Sequence, residues 1–539
     1  VFFWEAVVTG TIRRALLCFG LAMTVAPGTA SIAQMPPANI ATAPENTSVN
    51  SSEALKAIDQ LTEQNRQLEK QNQLLMEQIA ILRRALAAQQ SQSPQAAEPA
   101  AGPPAPGLAA ATIATPNPAT ESGYTRPTPS VVRVEQQSQP EEEKKWGKYT
   151  PNLGFKVVDT KYGDLSVSLY TYTRYLNQRL LDATYTNAFG TTTAVQQRQD
   201  FQIQKLQFKL LGWIMSPKLR YFLYAWTSNP TQGQGAQVVL AGNLNYTFNK
   251  HFTFSAGITS LPGTRSVEGN FPFWLGVDTR LITDEFFRPS YTSGIWAKGN
   301  IIDKLRYQVM LGNNLSTLGV SATQLDNNFS TLASALIWEP KAEFGQGFGD
   351  FESHEKLAIR VAGHFTRSHE TAEEQPSTNV FENTQIRLAD GTIIFTPNLF
   401  GPGITVNTVN YKMSALDGGL KYHGFSLDGD YYMRWLNNFT GPGTVGLPSL
   451  FDQGFAMQAS AMVIPKTLQL YAGGSTVFGK FGNPYDTRVG LNWFPWKNKV
   501  IRVNNEFLYL YRSPVGYTSV PFAVGGTGLV FHSNLEMAF

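Results

Sequence analysis

GTGLVFHSNLEMAF, residues 526–539, alternates strictly. Leu529, Phe531, Leu535, Met537 and Phe539 fall on one parity, while His532, Asn534 and Glu536 fall on the other. Side chains change face at every residue only in a strand, so the stretch is a strand with one apolar and one polar face. Read as the last strand, it leaves an open hydrogen-bonding edge unless another strand closes it. What closes it decides the fold.

The same texture begins near residue 148. Alternating stretches lie at 164–177, 200–214, 218–228, 236–248, 251–260, 291–301, 305–314, 329–340, 356–368, 409–424, 425–438, 451–465, 467–478, 486–496 and 500–514. With the terminal stretch they make sixteen. Tight connections (SPK, NK, ID, HG, KNK) contrast with long ones at 177–199, 260–290, 368–408 and 436–451. Short turns on one side and long loops on the other are the pattern of an outer-membrane barrel.

Charge placement separates this reading from a soluble all-β fold. Lys205, Lys209, Arg306, Arg360, Arg434, Arg488 and Arg502 each oppose their strand's apolar residues in parity. So many charges cannot share a dry core. A water-filled lumen accommodates them, with Ile501, Val503, Phe507, Tyr509 and Tyr511 turned to lipid. Tyr224, Trp226, Trp338, Trp435, Trp493 and Trp496 are expected in interfacial girdles. The fold expected over 148–539 is an all-β transmembrane barrel, closed, antiparallel and sixteen-stranded, with the last strand pairing the first near 164–176.

Composition excludes several function classes. Charged residues are 15% of the chain and the net charge is +3, so no basic surface favours nucleic acid. There is one cysteine, Cys18, so disulfides do not hold the fold. No H-E-x-x-H, G-x-S-x-G or phosphate-cradling loop occurs. The six histidines lack metal-ligand spacing. No enzymatic activity, catalytic residue, metal or cofactor is expected.

Three segments precede the barrel. Arg13-Arg14, the apolar run ALLCFGLAMTVA and the small residues of GTASIAQ read as a secretory signal over 1–33, cut after Ala33. Residues 51–90 carry heptads, with Ile58, Asn65, Asn72, Ile79 and Leu86 at a and Ala54, Leu61, Leu68, Leu75 and Leu82 at d. That periodicity predicts a periplasmic α-helical coiled coil. The Asn layers favour two strands and the wide seam at Met76 favours three. Residues 91–147 are rich in Pro and Ala and read as an extended linker.

Three runs carry a family resemblance. FQIQKLQFKLLGWIMSPKLRYFLYAW (201–226) resembles the second and third strands of the phosphate- and polyphosphate-selective outer-membrane porins. ITSLPGTRSVEGNFPFWLGVDTRLITDEFFRPSYTSGIWAKG (258–299) is similar to a strand, long third loop and next strand of that family. The ending, VGLNWFPWKNKVIRVNNEFLYLY (489–511) with 526–539, also fits it. The resemblance implies a homotrimeric channel for passive diffusion of small polar solutes with a mild preference for phosphate-like anions. It implies a third loop folded into the pore, with Arg280 on it and Lys205 on the lumen wall. The family's adjacent arginine pair is replaced by Gln204-Lys205, and Tyr172-Thr173 stand where the family has another arginine, with Arg174 close by. Phe539 resembles the signal read by the barrel-assembly machinery.

The candidate pore-lining set is Arg280 with Lys205, Lys209, Arg306, Arg360 and Arg434. Asp278, Asp284 and Glu285 lie on the same loop as Arg280. The expected partners are outer-membrane lipid and small anions or polar solutes. The alternative is a structural protein whose coiled coil tethers the membrane to peptidoglycan. The stretch GNFPFWLGVDTRL (269–281) is too apolar for a solvated loop, so it is expected to pack inside the barrel.

Overall fold

The computed structural model describes residues 149–150, 153–228, 237–267, 274–316, 329–372, 385–516 and 522–539. The signal expected at 1–33, the coiled coil expected at 51–90 and the linker expected at 91–147 lie outside the described residues.

The chain enters through a small hairpin, β1 (Tyr149–Thr150) and β2 (Gly154–Thr160). β3 (Gly163–Leu181) follows, then a loop holding the miniature hairpin β4 (Thr184–Thr186) and β5 (Thr192–Ala194). The next strands are β6 (Gln199–Ile214), β7 (Ser216–Ser228), β8 (Gln237–Asn249) and β9 (Phe252–Ser260). A long loop holding the short helix α1 (Ile282–Phe287) leads to β10 (Tyr291–Ile302), β11 (Leu305–Gly312), β12 (Thr331–Trp338) and β13 (Ala358–Thr371). β14 (Thr408–Tyr422), β15 (Phe425–Thr440), β16 (Leu450–Ile464) and β17 (Leu468–Phe478) come next. β18 (Tyr485–Trp493), β19 (Ile501–Tyr511) and β20 (Gly528–Ala538) finish the chain.

β3 and β6 to β20 form a closed, sixteen-stranded, antiparallel barrel. Each strand pairs with its sequence neighbour, and β20 pairs with β3 from Gly528↔Leu181 to Ala538↔Tyr170. The terminal strand is therefore closed by the first, which removes both edges. The described part of TQIRLADGTIIFTP, 385–397, adds no wall strand; it holds only an isolated bridge, Arg387↔Ile393.

Strand β3 is longer than β20, and the surplus is filled by β2. Its lower residues pair with β2, Phe155↔Val167 to Thr160↔Gly163. β2 thus continues the row of β20, and the two meet at Phe539. The Phe539 amide donates to the Leu169 carbonyl (2.9 Å), the Leu169 amide donates back (2.8 Å), and the Phe539 ring lies 5.7 Å from that of Phe155.

Tight turns occupy one end of the barrel. Met215, Lys304, His423 and Lys466 adopt positive φ there, in connections of one to three residues. Two connections at that end depart from the expected pattern: 494–500 between β18 and β19, expected as the tight turn KNK, spans seven residues, and 339–357 between β12 and β13 spans 19. Gly345, Gly347 and Gly349 within the latter all have positive φ and fold it back on itself.

The outward faces are apolar, including Ile203, Leu240, Leu244, Phe455, Phe507 and Leu535. Trp338, Trp493 and Trp496 are exposed, and Trp435 packs on exposed Phe451 with ring centroids 5.3 Å apart. Two girdle assignments are corrected. Tyr224 pairs with Lys209 and Trp226 with Gln207, so both side chains share the inner face and are buried. An aromatic near a strand end is compatible with either face; only strand parity resolves which.

Candidate functional site: the barrel lumen

All seven cations expected on the inner face are there. Arg360, Arg434, Arg488 and Arg502 are buried, as are Lys205 and Lys209, and Arg306 pairs with Glu339. Parity put them inside; what they meet depends on the loops.

The described residues of the third loop, 261–267 and 274–290, pack against the inner wall. Three cationic or amide wall groups donate to its carbonyls: Arg488 to Arg280, Asn492 to Leu275 (2.9 Å), and Arg502 to Trp274 (2.8 Å). His364 Nδ1 donates to the Pro262 carbonyl (3.0 Å) and the Tyr411 hydroxyl to that of Phe287 (2.7 Å). Within the described part of the apolar run 269–281, Leu275, Val277 and Leu281 are buried, as is Ile282 beyond it. Trp274 is half-buried and donates to the Ser266 carbonyl (3.0 Å); Phe273 lies outside the described residues.

Arg280 lies on this loop with its guanidinium 3.9 Å from the Trp274 ring. It stands 3.5 Å from both Asp284 and Glu285. Burial, and then the charge of Arg288, hold its pKa below the usual arginine range. Burial likewise pushes the Asp284 carboxyl above the usual carboxylate range. Lys205 reaches the same loop, 2.8 Å from Asp278, whose Oδ2 also accepts from the Tyr172 hydroxyl (2.7 Å). Arg280 and Lys205 thus share one region.

The other candidates are spread around the wall. Arg360 pairs with Asp417 (2.9 Å) and Arg434 with Asp452 (2.7 Å). Arg434 also donates to the Arg387 carbonyl (2.8 Å) and lies 4.1 Å from the Phe286 ring, joining the loop after β13 to α1. That loop contributes Ile386, Leu388, Ile394 and Phe395 to an apolar cluster with α1, Leu181 and Tyr185 at the long-loop end.

Two elements escaped the reading of the sequence. Arg265, at the start of the third loop, pairs with Asp428 and donates to the Gly347 carbonyl (3.0 Å). Its guanidinium lies 4.9 Å from the Phe344 ring and 4.4 Å from that of Phe348. The segment 339–357 therefore turns inward from the short-turn end and meets the third loop. Lys421 joins them, donating to the same Gly347 carbonyl (3.1 Å). The signal was present in EFGQGFGDF (343–351), which holds three phenylalanines where a wet turn has little use for one. Between the two segments lies a small, partly open pocket lined by Ser266, Trp274, Arg280, Phe348, Tyr432 and Arg488.

The opposite wall is different. From β6 to β11 the inner face presents Lys209, Arg220, Asn243, Asn245, Lys298 and Gln308. Asn245 donates to Asn243 (2.7 Å) and accepts from Ser255 (2.6 Å). Among the described residues, Lys209 and Lys298 have no ion-pair partner. Arg220 has none either, and its neighbouring acid, Asp164, pairs with Lys156 at 3.1 Å. No cluster of metal-ligating side chains occurs among the described residues.

No family model matches the chain, and no curated protein matches it in sequence. Solved structures do. The outer-membrane expressed OmpT of Vibrio cholerae is 11% identical, with 71% of this chain and 99% of that one covered and a TM-score of 0.43. The anion-selective porin from Comamonas acidovorans is 8% identical, with 70% and 100% covered and a TM-score of 0.45. The outer membrane channel DcaP of Acinetobacter baumannii is 9% identical, with 72% and 99% covered and a TM-score of 0.43.

Proposed function

We propose that this protein is an outer-membrane channel for passive diffusion of small polar solutes, with a mild preference for phosphate-like anions. The carrying observation is the contrast of faces. An apolar exterior suits lipid, and a polar interior in which partly exposed Arg220 and Lys298 have no ion-pair partner among the described residues suits a hydrated path that concentrates anions. The third loop, with Arg280 beside Trp274, narrows that path from one side, and residues 339–357 narrow it from the short-turn end. Lys205, Arg306, Arg360 and Arg434 set the potential of the surrounding wall. The phosphate-selective porins remain the proposed relatives.

The protein assembles as a homotrimer, with the coiled coil at 51–90 on the periplasmic side. Phe539 serves as the signal for the barrel-assembly machinery. The second reading, a tether to peptidoglycan, draws support from the hairpin β1–β2, which ties the chain entering the barrel to the closing seam at Phe539. The test is conductance and reversal potential of the purified protein in planar bilayers across a salt gradient. Ohmic conductance with a reversal potential of anionic sign supports the channel. A barrel that inserts without conducting supports the tether, and a cationic sign defeats the anion preference.

A further inference from the structure

The outer face of the barrel carries one feature that a lipid-facing wall does not explain. Arg367 on β13 and Lys412 on β14 are direct cross-strand neighbours. Both lie on the outward parity: Val361, Phe365 and Leu416 share that face, while Thr366, Ser368, Tyr411 and Met413 point inward and are buried. Like charges directly opposite one another in a sheet repel, and charge on a lipid face is costly toward the bilayer centre. Among the described residues neither side chain has an ion-pair or hydrogen-bond partner. Away from the strand ends, these two are the only charged residues at described outward wall positions, which hold no aspartate or glutamate.

Their height on the barrel is marked by the next strand. Lys412 pairs with Trp435, which packs on exposed Phe451. Such outward aromatic pairs sit at the headgroup level. The long-loop end lies above, since β13 and β14 continue to Thr371↔Thr408. Beside the cations, His369 and Asn410 are bonded to each other at 2.8 Å and keep the patch polar.

From this placement we infer that Arg367 and Lys412 form a binding site for the phosphate of an outer-leaflet glycolipid headgroup. An arginine fork and a lysine ammonium side by side suit a phosphate dianion through charge-assisted hydrogen bonds. A second copy of this chain is the poorer occupant, because the outward strand positions described offer it no carboxylate. The inference rests on the reading of the barrel as an outer-membrane protein.

The test uses the full chain in detergent, titrated with bisphosphorylated lipid A and with dephosphorylated lipid A as comparison. Wild type is expected to bind the phosphorylated form saturably and the dephosphorylated form far more weakly. The R367Q/K412Q double variant is expected to bind at least about tenfold more weakly, as loss of two charged hydrogen bonds implies. The exchange R367K/K412R is expected to restore binding, and unchanged conductance of both variants shows that the barrel is intact. Equal binding by wild type and R367Q/K412Q overturns the inference, as does equal binding of the two lipids. A change in sedimentation of the double variant with lipid binding unaltered overturns it in favour of a protein contact. A wild type that inserts and conducts but binds no lipid A defeats this inference alone; one that neither inserts nor conducts defeats the outer-membrane reading as well.

Discussion

Two halves of the same lumen differ in how many of their cations are paired. From β13 round to β20, arginines are matched to carboxylates: Arg360 with Asp417, Arg434 with Asp452, Arg488 with Asp486 and Glu506, and Arg502 with Glu536. Several of them also donate to loop carbonyls, so their spare hydrogens hold the third loop and the loop after β13 in place. From β6 to β11, Lys205 and Arg306 are matched to Asp278 and Glu339, whereas Lys298 and Arg220 have no ion-pair partner among the described residues. A paired, desolvated arginine is a structural strut, and its net field at a distance is small. An unpaired, partly exposed cation such as Lys298 or Arg220 keeps more of its field, reduced by salt over about 8–10 Å. Sequence parity sees these residues as one class; the partner decides which work each does.

The largest expected effect breaks the paired half. Arg265→Ala leaves Asp428 fully buried without its cation. Loss of one partner of a buried pair costs about 3–5 kcal/mol. Urea unfolding in lipid vesicles is expected to show that loss, together with higher single-channel conductance as the third loop and 339–357 separate. Unchanged stability would mean that Arg265 is not a strut.

The next sharpens the unpaired half. Lys209→Gln with Lys298→Gln is expected to move the reversal potential toward zero by more than Arg360→Gln does. Removing both halves of a pair, Arg360→Gln with Asp417→Asn, is expected to leave selectivity close to wild type. Equal shifts from the paired and unpaired sets would erase the distinction between the halves.

Arg280 lies between the two regimes. Asp284 and Glu285 offset it at 3.5 Å, a looser pairing than those of the wall arginines. Low water content at a narrow point strengthens whatever charge it retains. Arg280→Ala is therefore expected to lower anion preference more than Arg502→Ala, whose charge is absorbed by Glu536. A larger shift from Arg502→Ala in the same salt gradient would place selectivity in the wall.

The smallest effect concerns the corrected aromatics. Trp435→Ala, on the outer face, is expected to lower stability in vesicles by about 1–3 kcal/mol through lost interfacial burial. Tyr224→Ala, beside Lys209 inside, is expected to change conductance instead. The reverse result would return Tyr224 to the girdle.

Much of this architecture was legible before any coordinates. Sixteen alternating stretches each became a wall strand, because period-2 alternation is local and water on one side with lipid on the other enforces it. The inward placement of Lys205, Arg306 and Arg434 followed from the same parity, as did closure of 526–539 on 164–176. The apolar run at 269–281 announced the burial seen over its described part, Leu275 to Leu281.

What the sequence determined by itself is therefore face and order: which residues point inward, and which strand follows which. Tertiary structure alone decided pairing across the lumen. Asp428 and Arg265 are 163 residues apart, and Lys205 and Asp278 are brought together only when a loop folds back into a closed ring. The inward turn of 339–357 and the sorting of cations into held and free belong to the same category. Alternation depends on neighbours two residues away, whereas an ion pair across a barrel depends on closure, register and loop path together, and none of these is carried by any single stretch of chain.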